Sequence, residues 1–283
     1  MKKFIEAARE RAKAVTSMTD EYFDRFTGKN GLIIVEGDSW FSYPLFPDIC
    51  EILQRRFDYT VDSRAAHHGH TLEDMAYSEY QLYKLAWILA EHARKKQTPK
   101  AVLLSAGGND IVGKQFGFLL NHDNSGREKL NAAVVKGLLD ERLRPAAVEL
   151  ITSVTELCVH YFGRIVPIVI HGYDIPFPDG RGFPLSWHGP WMRPGFIEKG
   201  YKVATKRDLI RNRQIIRELI LEYNKMLEDL QQLDDSLGHV HYLSLLGTLK
   251  SENYFDDWND ELHPTEKGFI AIAKKFDGLI RTF

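Results

Sequence analysis

Residues 33–44 read IIVEGDSWFSYP. Three β-branched apolar residues lead into Gly37-Asp38-Ser39, and Trp40, Phe41 and Tyr43 follow at once. A short apolar run bounded by turn residues predicts a buried strand, here with a serine at its carboxyl end. By itself the stretch leaves two readings open: a nucleophile held at a strand end, or a polar turn that closes a core strand. A serine hydroxyl attacks poorly until a base takes its proton. The nucleophile reading therefore requires a base, an acid and an oxyanion site elsewhere in the chain.

Working outward, LIIVE at 32–36, YTVDS at 59–63, AVLLSA at 101–106, RIVPIVIHG at 164–172 and HVHYLSL at 239–245 all read as strands. Helix-like stretches fall near 47–57, 72–96, 128–160, 205–233 and 264–281. Strands that alternate with helices predict an α/β fold, with a mainly parallel five-stranded sheet between two helical layers. Ligands of such sheets bind beyond the carboxyl ends of the strands. Unusual polar residues gather there: Gly37-Asp38-Ser39, Gly107-Gly108-Asn109-Asp110 and His171-Gly172-Tyr173-Asp174 end three strands. The loop RAAHHGHT follows the second strand, and DDWNDELHPTEKGF precedes the last helix.

The 283 residues suffice for a substantial core, with 44% hydrophobic and 27% charged residues as in ordinary globular chains. A formal charge of −2 points to neither nucleic acid nor an anionic membrane as partner. Cys50 and Cys158 read as two buried thiols. Residues 1–30 read as an N-terminal helical extension ahead of a single domain over 31–283. No signal peptide or apolar membrane span is visible, so the expected location is the cytoplasm, with no integral membrane association. The oligomeric state, a homo-oligomer included, is left open. Residues 173–200 break the α/β rhythm with Pro, Gly and aromatics, and are expected to form a lid or specificity loop over the strand ends.

Asp260 and His263 lie three apart before Pro264. That spacing fits the first turn of the closing helix and lets both side chains project to one side. The plainer alternative is a helix-capping Asp and a surface His. An oxyanion needs donors aimed at it in advance. Gly69 could offer a backbone N–H, and Asn109 its amide after the Gly107-Gly108 turn. Singly, each is equally a loop residue.

Jointly, Gly37-Asp38-Ser39, a Gly in a second block, Gly107-x-Asn109-Asp110 and Asp260-x-x-His263-Pro264 resemble the SGNH hydrolases, or GDSL-type esterases and lipases. The order matches, and the blocks span most of the chain from Gly31 onward. The resemblance implies a flavodoxin-like three-layer α/β/α sandwich. It also implies Ser39 as nucleophile, His263 as base, Asp260 as its orienting carboxylate, and Ser39, Gly69 and Asn109 as the oxyanion hole. The implied activity is hydrolysis of a carboxylic ester through an acyl-serine, on a small-molecule, lipid or sugar ester, without cofactor or metal. An acyltransferase outcome stays open.

The chain departs from the pattern in its second block, Ala-Ala-His67-His68-Gly69-His70, and at Trp40, whose bulk either narrows the acyl pocket or packs under the serine loop. Trp40, His68, Tyr173, Trp187 and Trp191 are candidate substrate contacts. Loop or core packing is the plainer role for each. Two other readings are weighed: a silent carbohydrate- or lipid-binding domain on the same fold, and a dinuclear metallophosphoesterase. The latter's Asp-x-His opening and Gly-His-x-His ending are missing in that order.

Overall fold

The computed structural model describes residues 28–113, 115–184, 188–232 and 238–283. The expected helical extension, apart from the turn at 28–30, and Trp187 lie outside the described residues.

The chain forms strand β1 (Leu32–Gly37), helix α1 (Ile49–Phe57), β2 (Thr60–Asp62), α2 (Leu72–Tyr77), α3 (Glu79–Arg94), β3 (Ala101–Ser105) and α4 (Gly108–Val112). Then come α5 (Ala132–Lys136), a π-helical turn (Gly137–Leu143), α6 (Arg144–Phe162), β4 (Ile168–His171), α7 (Arg193–Glu198), α8 (Lys206–Asp229), β5 (Val240–Leu243) and α9 (Glu266–Ile280). The five strands are all parallel in the order β2-β1-β3-β4-β5, the flavodoxin-like arrangement.

Every residue of β1, β3 and β4 is buried, as a sheet covered on both faces demands. Full burial of Ile33, Ile34 and Val35 contributes about 1.5–3 kcal/mol per side chain. Helices α1 and α9 pack together, while α2 and α3 pack on α6, which also meets α8. Both cysteines are buried and unpaired. Among the described residues no helix is long and apolar enough to cross a membrane.

Two helices differ from the sequence expectation. The stretch 72–96 is broken at Ser78, whose extended backbone ends α2 and whose hydroxyl caps α3 by accepting from Gln81 N. The last helix begins only at Glu266, after the N-cap Thr265. Asp260 and His263 are thus not in its first turn. They lie in a loop closed by an antiparallel bridge between Trp258 and Pro264.

The direction in which strands are added reverses between β1 and β3. The crevice beyond their carboxyl ends is where such sheets bind ligands. Ser39 follows β1 and Asn109 follows β3.

Candidate active site

Ser39 sits in a turn that the residue before it holds in place. Asp38 Oδ1 accepts from Trp40 N at 3.0 Å and from Ser105 Oγ at 2.8 Å, and Oδ2 accepts from the Tyr173 hydroxyl at 2.8 Å. Asp38 N donates to Ser105 O. A buried carboxylate thus ties the serine turn to the ends of β3 and β4, and burial pushes its pKa up against these donors. Sequence reasoning missed this role. The signal was an Asp inside a segment expected to be buried.

His263 Nε2 lies 2.8 Å from Ser39 Oγ, and His263 Nδ1 lies 2.9 Å from each Asp260 oxygen. Asp260 is fully buried and Oδ1 also accepts from Leu262 N and His263 N at 2.8 Å. This side-chain turn, not a helix, brings Asp260 and His263 together. A carboxylate accepts only, so Nδ1 carries the proton and Nε2 is left to accept from the serine hydroxyl. The imidazole is held between aromatic neighbours, with the Tyr43 and Trp191 rings centred 4.7 and 5.4 Å away. Asn259 Nδ2 donates to the Tyr43 hydroxyl at 2.9 Å.

The segments that carry Gly69 and Asn109 are fastened to each other. Asn109 Nδ2 donates to His70 O at 2.8 Å, and Asp110 Oδ2 accepts from Leu72 N at 2.9 Å. An amide has two N–H donors, so one stays available to a ligand. Burial lifts the Asp110 pKa to about 7. Gly107 needs its left-handed φ of +88°, and a Cβ there would run into the Tyr223 hydroxyl. Gly69 has a φ of +85°, with open space where a side chain would stand.

Ser39, Asn109, Gly69 and His263 share a cleft of about 320 Å³ with Tyr43, Pro44, His68, Phe183, His188, Trp191 and Leu262. On the other side of Ser39 lies a hollow of about 30 Å³, whose walls include Trp40, Tyr173, Ile111, Val112, Ile220 and Trp258. His68 and Trp191 therefore stand on the large cleft. Trp40 and Tyr173 are buried below it, and their polar atoms are spent: the indole N–H donates to Leu262 O and the phenol to Asp38. They form walls and offer no polar contact.

The loop at 173–200 carries the short helix α7 and is bolted to the segment bearing Asp260 and His263. Glu261, fully buried between them, accepts from Gly180 N and Arg193 N on Oε1 and from Trp191 N and Met192 N on Oε2, at 2.7–3.2 Å. Burial raises its pKa to about 7 against these four donors. In return Arg181 donates to Trp258 O and Asn259 O at 2.8 Å. Neither Glu261 nor Arg181 was singled out in the sequence, where a charged residue beside the Asp-His pair reads as solvated. Asp174 stabilises the loop by accepting from Ile175, Gly247 and Leu249 N–H groups.

The rings of His67, His68 and His70 stack, 4.4 Å between the first two and 4.9 Å between the first and third. Burial and the neighbouring imidazoles lower the pKa values of His68 and His70. Among the described residues no three His, Cys, Asp or Glu side chains converge to hold a metal. The residues that a phosphoesterase reading would use are engaged otherwise: Asp38 accepts from Trp40, Ser105 and Tyr173, Asp110 accepts from Leu72 N at the start of α2, and His171 is fully buried, with its pKa pushed down to about 4.

No protein-family profile and no curated protein matches the chain. Solved structures are similar to it at low identity. TesA is 14% identical, with 89% of this chain and 98% of that chain covered and a TM-score of 0.47. A catalytic mutant of Axe2, an acetylxylan esterase from Geobacillus stearothermophilus, is 14% identical over 90% of this chain and 96% of that one, with a TM-score of 0.44. BT4096, a gut microbial diltiazem-metabolizing enzyme, is 12% identical over 88% of this chain and 46% of that one, with a TM-score of 0.49.

Proposed function

We propose that the protein is a serine ester hydrolase of the SGNH type, with Ser39, His263 and Asp260 as its catalytic residues. The carrying observation is the continuous relay from buried carboxylate to imidazole to hydroxyl, at 2.9 and 2.8 Å. His263 Nε2 takes the Ser39 proton as Oγ bonds to the ester carbonyl carbon. Asp260 holds the ring tautomer and stabilises the imidazolium. Ser39 N–H, Gly69 N–H and the Asn109 amide surround the developing oxyanion. Collapse breaks the bond to the alcohol oxygen, which leaves with the proton from His263. Water then attacks the acyl-serine, His263 takes its proton, and the acid departs as Ser39 regains its hydrogen.

The test is a fluorophosphonate probe with the labelled residue mapped by mass spectrometry, beside hydrolysis of 4-nitrophenyl acetate. Labelling at Ser39 and ester turnover, both lost in Ser39→Ala, are expected. An unlabelled serine and no turnover in folded protein would overturn the assignment. Stoichiometric ester binding without product would instead identify a silent binding domain.

A further inference from the structure

We propose, resting on the serine-hydrolase reading, that the substrate is an acetyl ester of a bulky, uncharged, ring-bearing alcohol. The two spaces that meet at Ser39 differ about tenfold in volume, roughly 30 against 320 Å³. Ser39 and Asn109 belong to both, so the reacting carbonyl sits at their junction. His263 lines only the large cleft. The departing alkoxide must receive its proton from His263, so the alcohol lies on that side. The acyl chain, which needs nothing from the imidazole, is left with the small hollow.

That hollow admits about two water-sized groups, which is the bulk of an acetyl group. Its walls cannot easily retreat. Ile111, Val112, Ile220 and Trp258 are each at most 3% exposed. Trp40 is fixed by its bond to Leu262 O and by edge contacts with the rings of Tyr173 and Trp258. Close-packed walls of this kind resist even one added methylene. This gives Trp40, immediately after the nucleophile, a definite part: its ring helps limit acyl length.

The alcohol side has the opposite character. Tyr43, Phe183 and Trp191 supply aromatic walls, and His68 and His188 supply imidazoles at the same cleft. No Lys, Arg, Asp or Glu lines it among the described residues. Among the described residues no Lys or Arg there would pair with a phosphate or a carboxylate, whereas flat apolar faces suit an aryl or sugar ring.

The experiment is a kcat/KM series on the full chain with 4-nitrophenyl acetate, butanoate and octanoate. A drop of at least about 10-fold is expected from acetate to butanoate, since a single misfitting methylene already imposes about 10- to 200-fold. Ile220→Ala, and Val112→Ala as the smaller excision, should raise the butanoate-to-acetate ratio at least tenfold over wild type. 1-Naphthyl acetate and peracetylated glucose distinguish an aryl from a sugar alcohol, and turnover of either supports the large-alcohol side. Equal rates on octanoate and acetate, or methyl octanoate faster than octyl acetate, would overturn the assignment of the two spaces while fluorophosphonate labelling at Ser39 left the hydrolase reading intact. No labelling and no turnover of any ester would overturn both.

Discussion

Replacing Glu36 by Gln should flatten the dependence of stability on pH. Glu36 lies on β1, paired with Leu104 of β3, and is 1% exposed. One carboxyl oxygen accepts from Gln81 Nε2 at 2.7 Å, and burial pushes its pKa from 4.5 to about 8. Between these values the folded chain keeps a proton that the unfolded chain has released. Stability from this group is therefore complete below pH 4.5 and is lost as pH rises through 8. At about 1.4 kcal/mol per pH unit the displacement is worth about 5 kcal/mol. Gln has the shape of the neutral carboxyl, keeps a carbonyl for Gln81, and cannot ionise. Glu36→Gln should match wild type near pH 4.5 and exceed it by a few kcal/mol at pH 9. Asp48, Asp110 and Glu261, raised to about 6, 7 and 7, slope the same way. Their contributions are common to both proteins and cancel in the difference. Urea unfolding followed by tryptophan fluorescence across pH 5–9 measures it. A difference between the proteins that stays constant with pH would refute the assignment of a buried, neutral Glu36.

Two further outcomes are expected. Asn109→Ala should lower kcat on 4-nitrophenyl acetate about 10²- to 10³-fold with KM little changed, the usual cost of one oxyanion donor. Steady-state kinetics that show a raised KM with kcat intact would make Asn109 a binding residue only. Glu261→Gln, at a pH above the raised value of about 7, sets an NH₂ group against two of the four backbone donors in either amide orientation. Each lost charge-assisted bond costs about 1.5–3 kcal/mol, so limited proteolysis at 176–192 should accelerate and KM for 1-naphthyl acetate should rise several-fold. Unchanged proteolysis would mean the loop is held by Arg181 and its own packing.

Local chemistry made much of this protein readable. Short, mainly apolar runs within 32–37, 101–105 and 168–171, bounded by turn residues, are buried on both faces as strands of a covered sheet. The rule that places ligands beyond parallel strand ends then located Ser39 and Asn109. Asp260 and His263 were legible as a pair because three residues separate them. Their setting was not, since a Trp258–Pro264 bridge and a side-chain turn replaced the expected helix.

Tertiary structure alone decided what depends on residues far apart in the chain. The Ser39–His263 bond spans 224 positions, and no local pattern carries such a distance. Glu261 looks like an ordinary surface charge until the loop at 173–200, which carries Arg181, folds over it and desolvates the carboxylate. Trp40 and Tyr173 could be placed on a substrate or in the core by the same letters. Burial and the partners of their polar atoms put them in the walls. The unequal spaces beside Ser39 come from side chains on the turn after β1, on α4 and α8, and on the closing loop meeting at one point. Volume is a property of such meetings, and a sequence determines it only through the fold.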